Sequence, residues 1–280
     1  MRKVMNKWML MAMVAVLCYT SSIGQNVLDG VYVPEHHTAR KVIPYTPLRE
    51  ADVMWSKRVW RVIDLREKIN HPLYFPTEKI NNRRSLTQVI IDAVQEGGSG
   101  LTAFSSMDDE FKVKLEPSEI QAMLVKTDTL FDFDADGNSI PKPIVIPFDP
   151  SSVKRYRLKE DWFFDKQKSV LEVRIIGICP VQESFDEEGN YRGESPLFWV
   201  YFPEAREIFV NIEVFNRNND AERRTLEDVF WKRQFSSYII KESNVYDRKI
   251  VEYKNNLDLL LEAKKIKDEI FNKEQDLWEY

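Results

Sequence analysis

The sequence predicts an α+β fold, with helices at both ends of the mature chain around a small, mainly antiparallel sheet. Three observations predict it. Helix-start signals followed by apolar residues at helical spacing occupy residues 46–125. Period-two alternation appears between residues 144 and 202. Capped, helically spaced segments return after residue 203. No repeat or low-complexity tract divides residues 45–280, which are expected to form one domain, with at most a weak break at 127–143.

The elements follow in order. Residues 25–44 carry two prolines and no periodicity and read as an extended arm. Thr46 and Pro47 offer an N-cap and a first-turn proline, and Leu48, Ala51, Trp55, Val59, Val62 and Ile69 fall on one helical face, so a helix is expected up to His71-Pro72. Ser85 to Gln88 spell a capping box for a second helix that stops at Gly97-Gly98. Ser118 to Gln121 repeat the box, for a short helix reaching about Val125, and 101–104 is extended between them. Residues 144–148, the alternating Leu171, Val173 and Ile175, and 197–202 read as strands, with a loop at 182–195 turning at Glu188-Gly189-Asn190. Pro203 begins a helix through Ala205, Ile208, Ile212 and Phe215, with a strand at 208–214 as its competitor. Thr225 to Asp228 cap a helix carrying Val229, Phe230 and Trp231 to about Glu242, and Leu259, Ala263, Ile266 and Ile270 stripe a last long helix.

The first 24 residues read as a secretory signal peptide. Arg2, Lys3 and Lys7 precede an apolar run from Trp8 to Tyr19, too short for the roughly 20 residues a membrane span needs, and small residues follow at Ser22-Ile23-Gly24. Ala15 and Leu17 reverse the pattern that would lipidate Cys18. The mature chain then keeps one cysteine, Cys179, in the apolar run VRIIGIC, and an internal disulfide is impossible. Cys179 is expected to be a buried, inert thiol. The formal charge of −5 becomes more negative without the leader, which disfavours nucleic acid or an anionic membrane as partner.

Signals for chemistry are weak. Asp132, Asp134, Asp136 and Gly137 begin like a calcium loop, but Ile140 and Pro143 stand where the later ligands belong, so a solvated turn is expected. The three histidines, His36, His37 and His71, lack metal-ligand spacing, and no nucleophile or phosphate-loop motif appears. No catalytic, cofactor or metal residue is assigned. What stands out is aromatic and arginine content of the kind enriched at interfaces. Arg58, Trp60, Arg61, Trp162 and Phe163 are the candidate partner-binding residues. Trp60, at the edge of the helical stripe, is expected to be more exposed than Trp55, so that removing Trp60 and Arg61 together should weaken assembly more than stability. Two other classes stay open: a secreted hydrolase using paired carboxylates in a cleft, and a small-molecule binding module.

The run YTPLREADVMWSKRVWRVIDLREKIN from Tyr45, with DGVYVPE at Asp29 to Glu35 and EDVFWKRQFSSYIIKESNVYDR at Glu227 to Arg248, resembles the gliding motility protein GldN, also called PorN, of the type IX secretion system of Bacteroidetes. The resemblance implies a non-enzymatic periplasmic subunit without cofactors. It implies assembly with the outer-membrane lipoprotein GldK (PorK) into a ring, contact with the periplasmic part of GldM (PorM), and self-association within that ring.

Overall fold

The segment expected to open the fold as a helix is a strand. In this computed structural model, which describes residues 40–278 except 81–82, 96–99, 134–138, 187–188 and 220, and only the backbone of 126–142, 274 and 277–278, Val53–Asp64 forms β1 after one 3-10 turn at Glu50–Asp52. The signal peptide, Cys18, the two adjacent histidines and Asp134 to Asn138 of the acidic loop lie outside the described residues. β1 is dense in residues that fill a pleated surface: Val53, Trp55, Val59, Trp60, Val62 and Ile63. It is also paired along its length with Val153–Asp165 (β5), and over Val59 to Val62 with Tyr238–Glu242 (β11) on its other side. Two ladders of backbone hydrogen bonds override the weak helical preference the N-cap signal offered.

The rest of the chain fills in around this ribbon. A single helical turn at His71–Tyr74 leads to α1 (Leu86–Gln95), β2 (Ala103–Ser105) and α2 (Pro117–Leu124). The box at Ser85 is formed: its Oγ accepts from Gln88 N, and Gln88 Oε1 accepts from Ser85 N. The cap of α2 sits two residues earlier than expected, where Glu119 Oε2 accepts from Glu116 N at 2.9 Å. β3 (Lys126–Phe133) and β4 (Ser139–Ile146) pair as a separate two-stranded sheet at the weak break. β6 (Val170–Phe185), β7 (Tyr191–Pro196) and β8 (Phe198–Tyr201) follow. Most of the expected 182–195 loop is therefore a hairpin, turning at Gly189 with φ 81°.

α3 (Phe202–Phe209) ends before Ile212 and Phe215. The strand competitor there is realised only as β9 (Glu213–Val214), paired with β10 (Arg224–Thr225). α4 (Leu226–Trp231) is capped by Thr225 and Asp228 as the sequence indicates, but stops at Trp231 rather than near Glu242. Arg233 turns into the left-handed region at φ 50° and the chain becomes the edge strand β11. Asn70, fully buried, holds that turn by donating to the carbonyls of Asp64 and Ser236 and accepting from Ser236 N. α5 (Leu257–Trp278) closes the chain.

The seven-stranded sheet runs β11-β1-β5-β6-β8-β2, with β7 also on β6, and each of these pairings is antiparallel. It is larger than the small sheet expected, and the helices are not gathered at the two ends of the chain. The α+β class stands. Register defines the two faces. One row crosses from Arg61 through Leu158 and Ile178 to Val200, and with Ile63 and Tyr156 it meets α1, α3 and α4 in the main core. On the same face but further along, Val59 and Ile239 take the buried stripe of α5, formed by Ala263, Ile266 and Ile270. The opposite face carries a smaller cluster of Trp60, Phe104, Cys179 and Trp199.

Candidate interaction surface

Alternation along β1 and β5 separates the five sequence candidates. Arg58, Trp60 and Phe163 project from the smaller-cluster face, whereas Arg61 and Trp162 project from the helix-covered face. They form no single patch. Trp60 is 9 % exposed and Arg61 6 %, while Trp55 is only partly buried, so the expected ranking of the two tryptophans is reversed. A strand alternates at every residue, and Trp60, at the margin of a supposed helical stripe, lies squarely on a sheet face.

Trp60 is fixed from three sides. Its indole N–H donates to the Asp109 carboxylate, and Lys241 and Lys159 lie 4.5 and 5.8 Å from its ring centre. Lys159, 3 % exposed, donates to the Asp109 carbonyl oxygen, and burial lowers its pKa against the raising effect of Asp109. Beside it Arg58 makes a two-pronged pair with its cross-strand partner Asp161, at 2.6 and 2.8 Å, and that hydrogen bonding raises its pKa. These groups line an open groove of about 670 Å³ between Leu48, Asp109 and Lys241, in which Lys159 and Lys241 also meet carboxylates at Asp109 and Asp247. The groove is polar and internally neutralised. On the other face Arg61 donates to Ser237 Oγ and to its carbonyl, and Trp162 donates to the fully buried Glu160, which Arg233 also holds at 3.0 Å. Arg61 and Trp162 are thus held by groups of their own chain. Arg58 is the candidate whose side chain remains open to solvent.

The described end of the arm lies against its own chain. Arg206 donates to the Ile43 carbonyl oxygen at 2.9 Å and Arg174 to that of Thr46 at 2.7 Å. Between them the Tyr45 ring lies 4.1 Å from the Arg206 guanidinium, 5.0 Å from that of Arg174 and 5.8 Å from the Trp231 ring. Arg206 is itself buried and pairs with Glu227 at 2.7 Å.

The family model for the gliding motility associated protein GldN matches residues 48–279. The chain belongs to the GldN family. Membership makes it a component of gliding motility and type IX secretion machinery. Comparison with curated proteins returns no match. In this GldN-family chain the matched region runs from the turn before β1 to the end of α5, so both faces of the sheet belong to the shared fold.

One surface of the GldN fold was missed from the sequence. α5 is apolar on two sides. Its buried stripe faces β11, and away from that stripe Leu257, Leu260 and Leu261 stand exposed near its start and Phe271 ten residues further on, each between 54 and 67 % accessible. The signal was present as a second set of apolar residues out of phase with the first. Among the described residues no group of three or more acidic, histidine or cysteine side chains is arranged to hold a metal ion, and no helix is long and apolar enough to cross a membrane.

Proposed function

We propose that this chain is a structural subunit of the periplasmic ring of the type IX secretion system, associated with the outer membrane through a GldK/PorK-like lipoprotein, contacting a GldM/PorM-like periplasmic domain and neighbouring copies of itself. The observation that carries the reading is the GldN family match over residues 48–279. The exposed leucines at the start of α5, Leu257, Leu260 and Leu261, support it, since clustered exposed apolar side chains mark protein contacts. The hydrolase alternative requires a second carboxylate beside one held protonated. Burial raises the pKa of Glu227, but its cavity's other acid, Glu172, is engaged by Lys168 at 2.6 Å.

The test is recovery of the tagged chain from an outer-membrane extract. A GldK-like lipoprotein is expected to come with it, and recovery without one overturns the reading. Within that experiment Leu261→Asp on α5 is expected to reduce recovery of partners at least tenfold with an unchanged melting temperature. Trp60→Ala with Arg61→Ala is now expected to lower the melting temperature first, because both side chains are buried.

A further inference from the structure

The arm, the first half of β6 and helices α3 and α4 enclose a cavity of about 450 Å³. Its walls are aromatic and cationic: Tyr45, Phe202, Phe230 and Trp231 alternate with Arg174, Arg206 and Arg233. Three side chains on this wall carry a buried polar atom with no hydrogen-bond partner: Arg174 Nε, Arg233 Nη1 and Glu227 Oε2. A buried polar atom without a partner is destabilising, so three such atoms lining one cavity call for a ligand or ordered water. Glu227 is 8 % exposed, and its other oxygen is already taken by Arg206.

The charges are unequal. Lys168, Arg174, Arg206 and Arg233 face two carboxylates, Glu172 and Glu227. Lys168 is paired with Glu172, Arg206 with Glu227, and Arg233 with Glu160 outside the cavity. Among the described residues Arg174 alone of these four has no carboxylate partner; its Nη2 meets only the Thr46 carbonyl. The unpaired donor and uncompensated charge of Arg174 ask for an anion, and the Glu227 oxygen asks for an N–H beside it. Arg206 and Arg174 already hold two carbonyls of the extended segment 43–46, so the same wall recognises peptide backbone.

We infer that this cavity binds an acidic peptide segment of a partner protein, whose carboxylate is received by Arg174 and whose backbone N–H meets Glu227, beside the Tyr45 ring. The inference stands on the cavity itself and holds whether or not the ring-subunit reading does. A free amino acid offers the same chemistry of carboxylate and N–H, and the probes separate the two.

The experiment is calorimetric titration of the full chain at low salt with three probes: a blocked alternating Glu–Ala hexapeptide, its Gln–Ala counterpart, and free glutamate. The Glu–Ala peptide is expected to bind, and at least tenfold more tightly than either other probe. Arg174→Gln is expected to weaken it at least tenfold with an unchanged melting temperature, and Arg174→Lys, which keeps the charge but not the planar fork, to weaken it less. Equal binding of the Gln–Ala peptide removes the role of the carboxylate, and no binding of any probe leaves the cavity to water; either result overturns the inference. Glutamate binding as tightly as the hexapeptide makes the ligand a small molecule and overturns it too, as does wild-type affinity in both Arg174 variants.

Discussion

At Gly177 the sheet is bare, and the Phe111 ring rests on it. A Cβ built there would come within 2.4 Å of Phe111 Cζ and 3.3 Å of the Trp199 ring. Phe111 also meets Phe104, Trp199 and Tyr201 edge-on, and its segment brings Asp109 to Trp60 and Lys159. Gly177→Ala is therefore expected to lift Phe111, cost about 1–3 kcal/mol in denaturant unfolding, and red-shift tryptophan emission as Trp60 gains water. Cys179, two residues on, is fully buried, and burial pushes its thiol up to about 12. It is expected to resist alkylation at pH 8 until the chain unfolds, as its apolar neighbours in sequence already indicated. Asp64 behaves oppositely. Burial would raise its pKa, but hydrogen bonds from Arg66 and Arg155 outweigh it and hold the carboxyl at about 2. A depressed folded pKa stabilises above the unfolded value near 3.8 and is lost as pH falls towards 2. Asp64→Asn should thus remove about 1 kcal/mol at pH 7, an amount reduced by solvent screening, and flatten the acid limb of the stability curve between pH 4 and 2.

Individual elements show what was legible and what was not. The caps at Ser85 and Thr225 were read correctly because a side chain three residues from its partner is a local signal. β1 was misread because Ala51, Trp55 and Val59 repeat every four residues, and four is both a helical neighbour distance and an even number on a strand. The deciding features lie outside the window, in β5 and in β11 from the far end of the sequence. α4 was overextended for a related reason: Asn70 and Arg61, distant in sequence, hold Ser236 and Ser237 in the turn that follows it. The candidates suffered with β1, since a helical reading leaves Trp60 at the edge of the apolar stripe, whereas a strand puts it on one sheet face and Arg61 on the other. α5 was found because its stripe is long and regular. Ile266, 2 % exposed between β11 and the neighbouring Ile270, is the stripe's centre. Ile266→Ala is expected to cost about 2–5 kcal/mol and to raise hydrogen exchange first in β11, which a chemical denaturation series read by exchange would show.

Across the whole molecule, what holds the parts together is mostly cross-strand pairing with helices on one face. The arginine-rich wall beneath the arm is the costliest part of this arrangement. Arg206 and Glu227 are both buried, and breaking such a pair strands a charge, for about 3–5 kcal/mol. Glu227→Ala should therefore lower the melting temperature sharply, whereas Arg58→Ala, at a solvent-exposed pair, should change it little. The place of β11 has one more effect. It is made near the end of the chain yet completes the edge of β1, made near its beginning, so the sheet stays open along Val59 to Val62 until residue 242 has emerged. A nascent chain, or a fragment cut short of β11, presents a row of unpaired backbone groups flanked by Trp60 and Ile63. Loop-closure entropy over that separation slows the final docking, and until it is complete Val59 to Val62 is the edge at which copies of the chain would add to one another strand by strand.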